Sequence, residues 1–239
     1  MMAGRAAYMR QGYKDAANYF KNLIDKLIAL NRASPIIPQA EFALADTYIS
    51  GPGAVLGSTN VLDGYKEAIG VYDKITREYP TNALAPLAWG QMGNCYLQLA
   101  SADTNNYERA AQAFTKALKS DLADARCRSI AEVGLAKVLE KQAEQASSAE
   151  RTHLLSEVLR HYWNVVDGQV LEEDEAADPL WLKEAAMAAA RLAEELQRWD
   201  EAANLYQKLA QWAPPLRKTW ELKLERLEQL RSQLGSAKN

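Results

Sequence analysis

Residues Tyr65–Asn82 read YKEAIGVYDKITREYPTN, and Ala83–Tyr96 continue as ALAPLAWGQMGNCY. In the first segment Tyr65, Ala68 and Tyr72 stand three and four residues apart, the spacing of one helix face, and Pro80 ends the run. In the second, Trp89, Met92, Gly93 and Tyr96 keep the same period. A small residue between large ones marks where a neighbouring helix approaches closely, and the aromatic four residues on fills the space beside it. The stretch predicts two helices packed on each other with a turn at Pro80.

The same signature, a small residue followed four positions later by an aromatic, recurs along the chain. It occurs as Ala16–Phe20, Ala68–Tyr72, Ala110–Phe114 and Ala202–Tyr206, with Val158–Tyr162 as a fifth, weaker copy. Each is preceded three residues earlier by a large residue: Tyr13, Tyr65, Tyr107, Leu155 and Trp199. Pro80 and Pro214 fall at equivalent points, and Leu122 takes that place in the third unit.

This pattern resembles the tetratricopeptide repeat, whose helix pairs read W-x2-L-G-x2-Y, then A-x3-F, then P. The resemblance covers nearly the whole chain. It implies an all-α, right-handed superhelix of helix-turn-helix pairs. The expected pairs cover about 3–34, 36–82, 84–122, 124–168 and 179–214 of one domain, with a cap helix at 216–235. The units are longer than a plain 34-residue repeat. The excess is expected between the two helices of a unit, in GPGAVLGSTNVLDG (51–64), ASADTNN (100–106) and EQASSAERT (144–152). These clusters break helices. Such insertions serve as a recognition surface or as tolerated loops, and the small entropy of a longer surface loop favours the latter. Pro35, Pro38, Pro80 and Pro214-Pro215 are expected between helices. Asp178-Pro179 offers an N-cap and first-turn proline. In 216–235, Trp220, Leu224, Leu227, Leu230 and Leu234 keep helical spacing, with Gly235 as a stop. This helix is expected to close the last apolar face of a stack that no single unit can bury. The short first helix, about Ala3–Gln11, suggests the C-terminal part of a longer protein.

Bulk properties exclude several classes. A net charge of −3 argues against nucleic-acid binding, which would need a basic face. No run of apolar residues is long enough to span a membrane. The opening MMAGRAAYMRQGYKD lacks the apolar core of a signal peptide, so the expectation is a cytoplasmic chain or one already trimmed of its targeting segment. Within the repeat family, Tyr79-Pro80 and Ala85-Pro86 resemble the bacterial envelope type, the periplasmic repeat lipoproteins that assist outer-membrane protein assembly. That resemblance would favour the periplasm for a trimmed chain.

Little in the sequence points to catalysis, cofactors or metals. His153 and His161 are eight residues apart on one expected helix, about 12 Å, too far to chelate one ion. No phosphate-cradling, dinucleotide, zinc-protease or nucleophile-elbow motif occurs. The acidic run LEEDEAAD, Leu171–Asp178, lacks the central glycine of a Ca²⁺ loop and reads as a solvated linker before a helix. Cys95 and Cys127 lie near opposite ends of two successive first helices, about 16 Å apart in register, so two free thiols are expected. Five of the six tryptophans lie late, at 163, 181, 199, 212 and 220, and read as packing residues.

By the resemblance, first helices line a concave groove that binds a peptide or protein. Register alignment places Asp46, Asn94, Lys137 and Arg191 at one groove position. Phe42, Gly90, Val133 and Met187 fall at another, and Lys141 lies one turn beyond Lys137. The expected groove is acidic to neutral at its N-terminal end and basic at its C-terminal end. The leading expectation is a non-catalytic scaffold binding a protein or peptide there. The alternatives are an assembly subunit of an envelope complex that self-associates through an open N-terminal face, and an enzyme or carbohydrate-binding accessory using the loops and tryptophans.

Overall fold

The computed structural model describes residues 1–30 and 34–236, with backbone alone for 232–236. Among them are twelve α-helices and no strand. They are α1 (Met2–Met9), α2 (Tyr13–Ala29), α3 (Ile36–Ser50), α4 (Pro52–Leu56), α5 (Val61–Glu78), α6 (Leu84–Leu99), α7 (Asn105–Leu118), α8 (Ala125–Ala143), α9 (Ser148–Val166), α10 (Pro179–Glu195), α11 (Trp199–Trp212) and α12 (Arg217–Ser236). Pro214–Leu216 form a single 3₁₀ turn. The chain divides into two compact units, Met1–Ala123 and Asp124 onward.

Caps explain where several helices start. Asn60 Oδ1 accepts from Leu62 N at 3.1 Å to open α5. Asp124 Oδ1 accepts from Cys127 N at 2.7 Å to open α8. Asp178 Oδ1 accepts from Leu180 N at 2.9 Å and Trp181 N at 3.3 Å, with Pro179 in the first turn of α10. Each such cap satisfies N–H groups that the helix itself leaves unpaired.

Within each unit, consecutive helices pack on one another. In the first unit Asp46 meets Tyr72 and Glu41 meets Lys74, so α3 and α5 run antiparallel. In the second, Lys137 meets Glu184 and Glu140 meets Arg191, so α8 and α10 lie side by side in the same direction. All ten residues of the five recurring signatures are buried. Their glycine partners are needed for space. A Cβ on Gly93 would stand 2.6 Å from the Phe114 ring, and one on Gly4 2.5 Å from the Phe20 ring. The second unit closes with α12 lying on α11, where Leu227 is buried and Trp220 stacks on Tyr206 with ring centroids 5.9 Å apart.

Several expectations need correction. The 51–64 insertion is largely helical. Pro52 opens α4, Gly57 caps it at φ +68°, and α5 begins at Val61. Gly64 lies buried inside α5, and the position needs glycine because a Cβ there would stand 2.4 Å from the Tyr48 carbonyl oxygen. Asn105-Asn106 and residues 148–152 likewise belong to the helices that follow them. Pro38 sits in the first turn of α3, where its missing N–H goes unneeded. Gly235 does not stop α12, which runs to Ser236. The Leu234 side chain lies outside the described residues.

The acidic run is solvent-exposed at Glu172, Glu173 and Asp174, as expected of a linker, but it is also tied to α8. Glu175 accepts from Ala125 N at 3.0 Å and Glu172 N at 2.8 Å. Arg128, buried on α8, donates to the Val170 carbonyl at 2.6 Å, to Glu172 at 2.9 Å, and to Glu175. The Glu172 N–H, and after it the Ala125 N–H, hold the Glu175 carboxyl below its usual range. The run is thereby pinned to the start of α8.

Candidate binding faces

In the first unit, α1, α3 and the start of α6 border a cavity of about 340 Å³. Its lining is Arg5, Tyr8 and Met9 from α1, Phe20 from α2, Gln39, Phe42, Ala43 and Asp46 from α3, and Leu84 from α6. Two of the expected groove residues, Phe42 and Asp46, are among them. Phe42 meets the buried Tyr72 edge to face, with centroids 5.0 Å apart. The Tyr72 hydroxyl donates to Asp46 Oδ1 at 2.6 Å. Burial first, and then the Asp46 carboxylate, push the Tyr72 phenol well above its ordinary value, so it stays a donor. The Tyr8 and Ser50 hydroxyls lie 2.7 Å apart and tie the end of α1 to the end of α3.

Asn94 is not part of this cavity lining. It lies farther along α6 and donates to Gln91 Oε1 at 3.2 Å. On α6, Leu84, Leu87, Gln91, Asn94 and Gln98 form one stripe at helical spacing, and none of them is buried. No charged residue occurs between Glu78 and Asp103.

The expected groove residues of the second unit are in a different setting. Lys137 donates to Glu184 at 2.6 Å, Arg191 to Glu140 at 2.7 Å, and Lys141 to Glu144 at 2.7 Å. Arg151 pairs with Glu195 close by. Met187 stands on the α10 stripe between Glu184 and Arg191 and is 43% exposed. A depression of about 220 Å³ is lined by Glu140, Lys141, Glu144, Arg151, Arg191 and Glu195, with Ala143, Leu155 and Leu192. The expected basic end is therefore a set of cations already matched by carboxylates. Behind this face, Glu132 on α8 is buried and both its oxygens are engaged. His161 Nδ1 lies at 2.5 Å from one, and Asn164 Nδ2 donates to the other at 3.1 Å. His161 is thus a packing histidine.

Sequence reasoning missed Arg5, Tyr8, Met9 and Gln39. Their place follows from the close approach of Gly4 to Phe20, which sets the register of α1 and is visible only in the structure. It also missed Glu140 and Glu184, which stand within three residues of Lys137 and seven of Arg191 on the same faces.

Among the described residues no cluster of three or more metal-ligating side chains occurs, and no helix is long and apolar enough to cross a membrane. Cys95 and Cys127 are free and buried, and desolvation pushes both thiols up to about 12. Comparison with models of known protein families and with curated proteins gives no match to this chain.

Proposed function

We propose that this chain is a tetratricopeptide-like scaffold that binds a peptide or protein segment on the faces of its first helices. One observation carries the reading: the cavity of the first unit is bordered by α1, α3 and α6, the helices that the resemblance assigns to the groove, and it contains Phe42 and Asp46. A pocket of this size falls at the lower end of the range for ligand sites, about 300–1,000 Å³. The tryptophans lend no support to a carbohydrate-binding role, because Trp163, Trp199, Trp212 and Trp220 pack on the core of the second unit.

The test is selection from a random library of displayed dodecapeptides with the whole chain as bait. The reading expects an enriched set of binders. It expects their affinity to fall at least tenfold in Phe42→Ala, in Lys137→Ala with Arg191→Ala, or in both, while each variant keeps its helical content. No enrichment, or binders indifferent to every one of these variants, would overturn it.

A second reading, self-association through the N-terminal helix, draws on Met2 and Met9. These α1 side chains are 83% and 80% exposed. It expects a concentration-dependent mass that Met2→Lys with Met9→Lys abolishes.

A further inference from the structure

The first unit specifies more than a generic groove. Its cavity walls are mainly apolar, formed by Tyr8, Met9, Phe20, Phe42 and Leu84, with Arg5 and Asp46 as the charged members of the lining. About 150 Å³ is enough to hold benzene in a protein interior. A space of about 340 Å³ therefore takes one bulky side chain with the adjoining main chain, but not the whole apolar face of a helix. The Asp46 carboxylate at the cavity already accepts the Tyr72 hydroxyl.

From Leu84 at the rim, the α6 stripe continues through Leu87 and Gln91 to Gln98, about 21 Å at 1.5 Å per residue. An extended segment of about six residues covers that length. The stripe offers amides and aliphatic carbons but no charge. Beyond the cavity, where Arg5 and Asp46 stand, α6 itself offers no counter-ion to a charged side chain that loses water along it, a penalty that apolar or neutral polar side chains escape. The amides of Gln91 and Gln98 each supply a donor and an acceptor, which suits a peptide main chain.

We infer that the first unit selects a short extended peptide segment, uncharged over about six residues, that places one aromatic or large aliphatic side chain in the α1–α3 cavity. The inference rests on the scaffold reading above and narrows its ligand class. Recognition is then of the main chain plus one apolar anchor, with electrical neutrality as the filter against other segments.

The test uses the whole chain and capped hexapeptides, acetyl-Ser-X-Ser-Gln-Ser-Gly-amide, with X as Phe, Leu, Ala, Lys or Glu. Binding is read by saturation-transfer NMR. The Phe and Leu peptides are expected to bind saturably and at least tenfold tighter than the Ala peptide, with the Lys and Glu peptides no better than Ala. Ala43→Trp fills the cavity from an α3 position and should abolish the preference for Phe. Should that variant lose its native melting curve, Leu84→Lys puts a charge at the rim instead and should weaken the Phe peptide at least fivefold. Equal binding of the Phe, Ala, Lys and Glu peptides would overturn the inference, as would a Phe preference that survives these variants. Library-selected peptides that bind wild type and Ala43→Trp equally would remove this inference and leave the scaffold reading standing. Failure of both peptide sets would remove the two together.

Discussion

The two units offer opposite surfaces on helices of the same rank. In the first, α3 and α6 present Phe42 and Leu84 at a cavity that the protein does not fill, with Leu87 and neutral amides farther along α6. In the second, α8 and α10 present Lys137, Lys141 and Arg191, each tied to a carboxylate. The difference teaches that residue type at an expected groove position is a weak guide to what the position can bind. A lysine whose charge is met by a neighbouring glutamate has spent its interaction inside the fold, whereas a phenylalanine bordering an empty cavity has apolar surface still to bury.

The largest expected effects concern what stands behind each face. Phe114→Ala would empty the space against Gly93 in the first unit and destabilise that unit by about 3–5 kcal/mol. Arg128→Ala would strand the Val170 carbonyl and release the acidic run, destabilising the second unit by about 3 kcal/mol. Each unit contains one buried free cysteine, so thiol labelling tells them apart. Phe114→Ala should accelerate labelling of Cys95 and Arg128→Ala that of Cys127. Equal acceleration of both thiols by either variant would show that the units do not open separately.

Tyr72→Phe sharpens the comparison at lower cost. It removes the hydroxyl that engages Asp46, and the expected loss is about 1–2 kcal/mol, read by thermal melting. The smallest effects are expected at the ion-paired face. Lys137→Ala or Arg191→Ala should shift stability by less than about 1 kcal/mol, because these pairs are partly exposed and screened. A larger loss would mean that the charged face does more than match its own charges.

The thiols also give a pH dependence with a definite sign. Below pH 9 the folded and unfolded chains both hold the thiol protons, and the cysteines contribute nothing. Above it the unfolded chain releases protons that the folded chain keeps until about pH 12, so stability falls as pH rises across that window. Denaturant titrations at pH 8 and pH 10, compared with those of Cys95→Ala and Cys127→Ala, check this. A pH effect unchanged in both variants would contradict it.

Much of the helical framework was legible in the sequence because it depends on local spacing. The Ala–aromatic signatures, the cap at Asp178 and the place of Gly93 follow from helix period and steric size, and each stands in the structure as read. What was not legible depends on partners distant in the chain. Arg128 meets Glu172 and Glu175 from 44 and 47 residues away, so an acidic run that looks solvated is pinned to α8. Lys137 and Arg191 meet their carboxylates across 47 and 51 residues, which turns an expected basic end into a compensated one. Gly64 looked like a loop breaker and is a packing residue, because the Tyr48 carbonyl approaches it. The cavity needed α1, whose side chains have no marked pattern of their own.

The most direct test of the account is to map where a library-selected peptide touches the chain, by hydrogen exchange at peptide saturation, in low and in high salt. The account predicts protection in α1, α3 and the first half of α6, little change in α8 and α10, and an affinity that salt barely alters. Protection confined to α8 and α10 around Lys137, Lys141 and Arg191, with affinity falling steeply as salt rises, would contradict the assignment of recognition to the first unit.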